Sequence, residues 1–270
     1  MSRVGISFRW ALASWLERGP PEVACLEIVA EHFSKAGRGY LRSLADRYPL
    51  IVHTERLSVG TPGPLDGSEL TALAALVREL KPLWVSDHLG FRCTREVDLG
   101  SPVPMLLNNR TLALVAERVQ RMTDACQVPL LLENLSSPLA LHGTLSEPEF
   151  LNRLCARTGC GVLLDVSALL VNSRNHGFDA LAWLQALDPA YIVQVHVGGC
   201  RESDGRGENL HDEAVPEAVW TLLAEVLKRG SIEALVLERD AGFPAPEDLA
   251  QELRRMRTLA GAGSRIGVDA

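Results

Sequence analysis

The sequence predicts an α/β fold of the (β/α)8 TIM-like barrel type, formed by a single domain. Short apolar, β-branched segments recur at even spacing along the 270 residues, and segments with helical periodicity lie between most of them. This alternation is typical of a parallel sheet covered by helices, and eight such repeats favour a closed barrel over the alternative, an open doubly wound sheet. We expect the barrel to span residues 1–260 and residues 261–270 to form a flexible tail.

Eight segments predict the strands of this barrel. Each is a short apolar run that ends in polar residues, which is the pattern of a strand buried on both faces. The segments are VGISFR (4–9), CLEIVA (25–30), PLIVHT (49–54), LWVSDHL (83–89), PLLLEN (129–134), GVLLDVS (161–167), YIVQVHV (191–197) and ALVLER (234–239).

Helices are predicted where apolar residues recur every three or four positions. The clearest begins at a Ser68 cap, and the predicted ranges are 68–80, 110–126, 147–158, 216–229 and 247–259. No glycine-rich GxGxxG or P-loop segment follows the first strand, which argues against a dinucleotide or P-loop fold. Two predicted loops, 90–109 and 198–213, are longer than a barrel needs and follow strands four and seven, where barrel enzymes build active sites.

The composition and charge of the chain argue against several classes of binding partner. The net charge of -7 (27 Lys+Arg, 34 Asp+Glu) gives no basic field for nucleic acid or an anionic membrane. The six cysteines are scattered without CxxC pairs, so we interpret them mostly as small core residues of a protein in a reducing cytoplasm. The first ten residues lack a signal-peptide pattern, and no apolar run is long enough to span a membrane. We therefore expect a cytoplasmic protein with neither a nucleic-acid nor a membrane partner.

Histidines and carboxylates concentrate at the ends of the predicted strands. Because parallel strands end at one rim of a barrel, these side chains are expected to converge there, and Glu27 ends the second strand in the same way. Such a cluster is costly to bury unless its members are paired or coordinate a metal. The predicted metal ligands are His53, His88, Glu133, Asp165, His196, His211 and Glu238.

The chemistry of these ligands indicates the kind of metal. Imidazole mixed with carboxylate, without thiolate, suits iron, manganese or a catalytic zinc. Seven ligands exceed what one ion requires, so we expect at least two ions, with Glu133 as a bridging carboxylate.

Several segments resemble one known family across nearly the whole chain. They are LEIVAEHF (26–33), VHTERLSVGT (52–61), VSDHLGF (85–91), LLLENLSSPL (130–139), EPEFLNRLCARTGCGVLLDVS (147–167), NHGFD (175–179), VQVHVGG (193–199) and VLERD (236–240). In this order they resemble the multinuclear non-haem iron-dependent oxidative enzymes of the methanobactin-biosynthesis type.

The resemblance implies a TIM-like barrel that holds two or three irons in mixed Fe(II)/Fe(III) states and uses O2 as co-substrate. It implies oxidation of a cysteine in a ribosomally made precursor peptide, with a small partner protein that recognises the leader, and it assigns ligand roles to the same seven residues. Of these, Glu133, His88 and Asp165 are the expected catalytic residues. The expected substrate-binding or supporting residues are Asn134, His176, Asn209 and Asp240.

The sequence departs from the family pattern at several positions. Ser167 and Ala168 replace two asparagines, and Asn209 replaces an aspartate, which bears on occupancy by a third iron. Segment 54–56 (TER) and Asp87 also differ, which bears on substrate scope.

Other functions fit the same predicted barrel. A divalent-metal sugar isomerase or epimerase needs fewer ligands, and oxygen dependence discriminates it from the oxidase. An abasic-site endonuclease would also use several metals, but the charge of -7 and the 5% aromatic content fit DNA poorly. A protein that only stores or senses metal would bind iron without consuming oxygen.

Overall fold

The computed structural model describes residues 2–33, 37–94 and 96–266, and it contains the predicted barrel. Eight parallel strands hydrogen-bond in the order β1-β12-β9-β8-β7-β4-β3-β2 and close on themselves, which confirms the fold class. Each predicted strand segment corresponds to one of them. Their bounds are β1 Arg3–Ser7, β2 Cys25–Val29, β3 Leu50–Thr54, β4 Val85–His88, β7 Leu130–Glu133, β8 Gly161–Asp165, β9 Ile192–Gly198 and β12 Ala234–Glu238.

The described helices include the five that were predicted and four that were not. The predicted helices are α3 Gly67–Leu80, α4 Asn109–Cys126, α5 Glu147–Thr158, α8 Glu217–Leu227 and α9 Pro246–Ile266. The others are α1 Ala13–Glu17, α2 Arg38–Ala45, α6 Val166–His176 and α7 Ala180–Ala186. Residues 267–270 of the predicted tail lie outside the described residues.

Side-chain caps explain where several helices begin. The cap of α3 is Asp66 rather than the predicted Ser68, because the Asp66 carboxylate accepts the backbone N–H of Ser68 at 2.8 Å. Asn108 forms a capping box with Thr111 at the start of α4, and Ser146 caps α5. Such caps satisfy backbone donors that the first turn of a helix leaves unpaired.

Both long loops contain a two-stranded antiparallel hairpin. The first is β5 Phe91–Cys93 with β6 Asp98–Val103, and the second is β10 Arg201–Ser203 with β11 Arg206–Glu208. The two loops that were predicted to be longer than a barrel needs therefore have secondary structure of their own. Among the described residues, no helix combines the length and apolar character that a membrane span requires.

The chain divides into two compact units, residues 1–27 with 164–270 and residues 28–163. In the first unit, β12 pairs with β1 and with β9, and Val195, Leu235 and Leu237 are fully buried. In the second unit, β4 pairs with β3 and with β7, and their apolar side chains, such as Val52 and Leu132, are fully buried. Each unit thus carries strands whose last residues include predicted ligands.

Four of the six cysteines, Cys25, Cys126, Cys155 and Cys160, are buried, and Cys93 and Cys200 are half-buried. The interpretation of the cysteines as mostly core residues is confirmed.

Candidate metal centres

His53, His88 and Glu133 form a candidate metal group in the second unit, and their ligand atoms all lie within 4.8 Å of one another. His88 and Glu133 are the last residues of β4 and β7, His53 is the next to last residue of β3, and His88 pairs directly with Glu133 in the register. The Glu133 Oε2 atom lies 3.7 Å from Nε2 of His53 and 3.5 Å from Nε2 of His88. Ligand atoms about 2.1 Å from one shared ion lie about 3.0–3.5 Å apart, and the two contacts of Glu133 are close to this spacing.

The strand that carries His88 also orients the ring of His53. The Nδ1 atom of His53 lies 2.9 Å from the hydroxyl of Ser86, which is fully buried. This hydrogen bond leaves Nε2 of His53 directed at Glu133, as expected for a histidine whose other nitrogen is fixed by a neighbour. Asp87 is also buried, and burial raises the pKa of its carboxyl well above the usual value.

Glu27, His196 and Glu238 form a second group, in the first unit. The Glu27 Oε2 atom lies 2.9 Å from Nε2 of His196, and the Glu238 Oε2 atom lies 3.2 Å from its Nδ1. Gln194 donates a hydrogen bond to Glu27 Oε2 at 2.5 Å. Glu27 is fully buried, and its Oε1 has no hydrogen-bond partner among the described residues. A buried carboxylate oxygen without a donor is costly, and a bound cation would offset that cost.

Asp165, His211 and Glu238 form the third group, so Glu238 belongs to two groups. The Nε2 atom of His211 lies 3.6 Å from Asp165 Oδ2, and its Nδ1 lies 3.1 Å from Glu238 Oε2. Burial lowers the pKa of His211, but the charge of Glu238 and the hydrogen bonds to Asp165 and Asp240 outweigh it and raise that pKa well above the usual value. Burial opposes ionisation of Glu238, yet His196 and His211 hold the pKa of Glu238 well below its usual range.

Asp165 is fixed by both of its carboxylate oxygens. Oδ1 caps α6 by accepting the backbone N–H groups of Ser167 at 2.8 Å and Ala168 at 3.0 Å. Oδ2 accepts the Asn209 side-chain amide at 2.7 Å, and Asn209 Oδ1 has no hydrogen-bond partner within the described part of the chain. The Ser167 hydroxyl donates to the carbonyl of Gly198 at 2.9 Å, so its role here is to tie α6 to β9.

The structure brings all seven predicted ligands into these groups, and it adds Glu27. Glu27 was predicted to end a strand and was left out of the ligand set; in the structure it is the third of the five residues of β2, so it lies within the strand rather than at its end. The bridging role of Glu133 stays a prediction, since the described carboxylate that belongs to two groups is Glu238.

The four predicted supporting residues occupy different positions. Asn209 and Asp240 contact ligands, since Asp240 Oδ2 lies 3.4 Å from Nδ1 of His211. Asn134 is buried directly after β7, and His176 is half-buried at the end of α6. Neither belongs to one of the three groups formed by the described residues.

The three groups contain only imidazole and carboxylate ligands. Nitrogen and oxygen donors of this kind suit iron, manganese or a catalytic zinc, and they differ from the thiolate sets of structural zinc. The buried acceptor oxygens of Glu27 and Asn209 therefore fit a bound cation of that class.

The chain is similar to known proteins in sequence and in fold. The model of a family described as "RiPP precursor modification enzyme MbnB/TglH/ChrH" matches residues 3–261. A UPF0276 protein of Rhizorhabdus wittichii is 34% identical over 91% of this chain and 90% of its own length. A UPF0276 protein of Caulobacter vibrioides is 32% identical over 93% of this chain and 91% of its own length.

Two solved structures are similar in fold at lower sequence identity. Endonuclease IV from Thermus thermophilus has a TM-score of 0.62 and 19% identity, covering 96% of this chain and 99% of its own. The TTHB071 protein of the same organism, in a crystal soaked with ZnCl2, has a TM-score of 0.59 and 21% identity, covering 96% of this chain and 98% of its own. At these identities the likeness shows the barrel fold alone.

Proposed function

Since the chain belongs to the MbnB/TglH/ChrH family of RiPP precursor modification enzymes, we propose that it is a multinuclear, iron- and O2-dependent oxidase that modifies a cysteine residue of a ribosomally synthesised precursor peptide. The observation that carries the proposal is the presence of three groups of imidazole and carboxylate ligands on the barrel strands and in the loop after β9. A sugar isomerase or epimerase remains the rival, and it needs only one such group.

The residues that would hold the irons are the members of the three groups. His53, His88 and Glu133 would hold one ion, and the two groups that share Glu238 would hold one or two more. Bound iron would supply the activation of O2 and an open position for the substrate sulfur, which are the standard contributions of a redox-active metal.

The chain itself contributes rigid, charged ligands. Because the pKa of Glu238 lies well below its usual range, this carboxylate is ionised at neutral pH and ready to bind a cation. Gln194 fixes the Glu27 carboxylate, and the first turn of α6 fixes the Asp165 carboxylate. Ligands that are fixed in advance lose little freedom when a metal or a substrate binds.

Each unit carries a hairpin that follows a ligand-bearing strand, and a hairpin of this kind is proposed to contact the peptide. The β5–β6 hairpin follows His88 after two residues, and the exposed side chains of Val97 and Leu99 lie on it. The β10–β11 hairpin follows β9, which carries His196. A small leader-recognising partner protein would deliver the peptide to these segments.

The test incubates iron-loaded protein with a candidate precursor peptide that contains cysteine and with a candidate leader-recognising partner protein. The expected result is O2 consumption together with a mass change confined to the cysteine. The same peptide with Cys→Ser is the matched control and should stay unmodified. Turnover of a ketose sugar under argon, with no reaction of the peptide in air, would contradict the proposal and favour the isomerase.

A further inference from the structure

Arg9, two residues after the end of β1, has an anchored side chain that the family assignment leaves without a role. Its Nη1 donates to the hydroxyl of Ser7 at 2.7 Å and to the carbonyl of Phe8 at 2.9 Å. Its Nε donates to Asp240 Oδ1 at 2.9 Å, and its Nη2 contacts the same oxygen. The Arg9 side chain is only 14% exposed, so the guanidinium is held on one side by β1 and on the other by Asp240.

Asp240 is in turn tied to His211 by two contacts. Its backbone N–H donates to the carbonyl of His211 at 2.9 Å, and its Oδ2 lies 3.4 Å from Nδ1 of the His211 ring. Oδ1 of Asp240 binds Arg9, so the two oxygens of one carboxylate face the arginine and the histidine. By binding Oδ1, Arg9 fixes the orientation of the Asp240 carboxylate. That orientation determines where Oδ2 lies relative to the His211 ring.

The backbone and packing around His211 leave the ring little freedom. His211 has a φ of 51°, in the left-handed region that non-glycine residues seldom adopt. The ring packs against Gly198, where a Cβ atom would lie 2.3 Å from its Cδ2. With Nδ1 facing Asp240 and Glu238, Nε2 faces Asp165 at 3.6 Å.

We propose that Arg9 is a positioning residue for the candidate metal ligand His211 and that it acts through Asp240. Arg9 holds the Asp240 carboxylate, the carboxylate accepts the Nδ1 proton of His211, and Nε2 is presented beside Asp165. Carboxylates that hold a metal-binding histidine in this way typically change metal affinity about 10- to 100-fold when they are removed. The inference rests on the metal centre of the proposed function and adds a residue that does not itself bind the ion.

The experiment measures Co2+ binding to the metal-free protein by competition with a chelator and by the visible absorption of bound Co2+. The variants are Arg9→Ala, Arg9→Lys, Asp240→Asn and the double variant Arg9→Ala/Asp240→Asn. Arg254→Ala is the matched control, because Arg254 forms an exposed 2.6 Å ion pair with Glu22 in the same unit.

Arg9→Ala and Asp240→Asn should each lower the affinity of one class of Co2+ site about 10- to 100-fold and change its spectrum. The double variant should lose no more than Asp240→Asn alone, because residues acting in series are not additive. Arg9→Lys should recover part of the lost Co2+ affinity, because lysine keeps the positive charge but lacks the planar set of N–H donors of the guanidinium. Arg254→Ala should match the wild type.

Wild-type affinity and spectrum in Arg9→Ala, or losses that add in the double variant, would overturn the inference while leaving the metal centre in place. Absence of Co2+ binding to the wild type would overturn the metal centre and this inference with it.

Discussion

The imidazole rings of His53 and His88 lie 4.6 Å apart, centroid to centroid, at an interplanar angle of 89°. Both rings direct Nε2 at the same oxygen of Glu133, and the other nitrogen of His53 is engaged by Ser86. This geometry comes from three neighbouring strands that each carry a ligand at the last or next to last position, so it is built into the barrel before any ion binds. The consequences for metal content can be measured directly.

Replacing Glu133 tests the group in the second unit. Glu133→Gln keeps the size of the side chain but removes the charge that lies between the two histidines, so bound iron should fall while the far-UV circular dichroism stays unchanged. Elemental analysis of the purified variant gives the metal content. His142→Ala, at an exposed histidine of the same unit, should keep the wild-type iron content. A Glu133→Gln protein with unchanged iron and full peptide oxidation would contradict the assignment.

Replacing Glu27 tests whether this buried carboxylate, which was not predicted as a ligand from the sequence, binds metal. Added metal should raise the melting temperature of the wild-type protein, because a ligand that binds only the folded state stabilises it. This rise should shrink in Glu27→Gln, and a 100-fold loss of affinity corresponds to about 2.7 kcal/mol. Glu247→Gln, at an exposed position of α9, is the control and should show the full rise. An undiminished rise in Glu27→Gln would show that Glu27 is not a ligand.

The pKa of His211 sets a pH dependence for the metal-free protein. Because that pKa is raised well above its ordinary value in the fold, the ring is protonated at neutral pH and its ion pair with Glu238 stabilises the protein. This contribution is complete below about pH 6.5, the value of an unfolded histidine, and is lost as the pH rises through the folded-state pKa. Thermal unfolding of the metal-free wild type should therefore show a decline towards alkaline pH that is absent from His211→Gln. Parallel pH profiles for the two proteins would refute the prediction.

Gly198→Ala tests how tightly the His211 ring is packed. The new methyl group would lie 2.3 Å from Cδ2 of the ring, so the ring must move away from its present position. We expect a loss of stability of about 1–3 kcal/mol, as for other overpacked sites, and weaker binding of metal beside Asp165. Gly261→Ala, where a Cβ meets nothing within 4 Å, is the control. Denaturant unfolding and metal titration measure the two effects, and equal results for both variants would contradict the packing argument.

The strands were predictable because strands that are buried on both faces appear as continuous apolar runs. The start of α6 was not, since the segment predicted as a strand ran to residue 167, whereas the change from strand to helix occurs at Asp165, which caps the helix. The β10–β11 hairpin was missed because its strands have only three residues each, all exposed or half-buried, so they carry no apolar alternation.

The ligand types of the site were predictable, but their grouping was not. Strand-end positions indicate that a histidine or carboxylate is available, whereas the partners of Glu238 depend on side-chain directions that only the folded chain fixes. The Arg9–Asp240 contact joins residues 231 positions apart, and no local pattern in the sequence indicates it.

The measurement that tests the central claim most directly is the iron content per chain of protein purified without oxygen from iron-supplemented cells. With three candidate ligand groups present, the account predicts more than one iron per chain, accompanied by O2 uptake when the precursor peptide is added. A single zinc, manganese or magnesium ion per chain, with no O2 uptake, would contradict it.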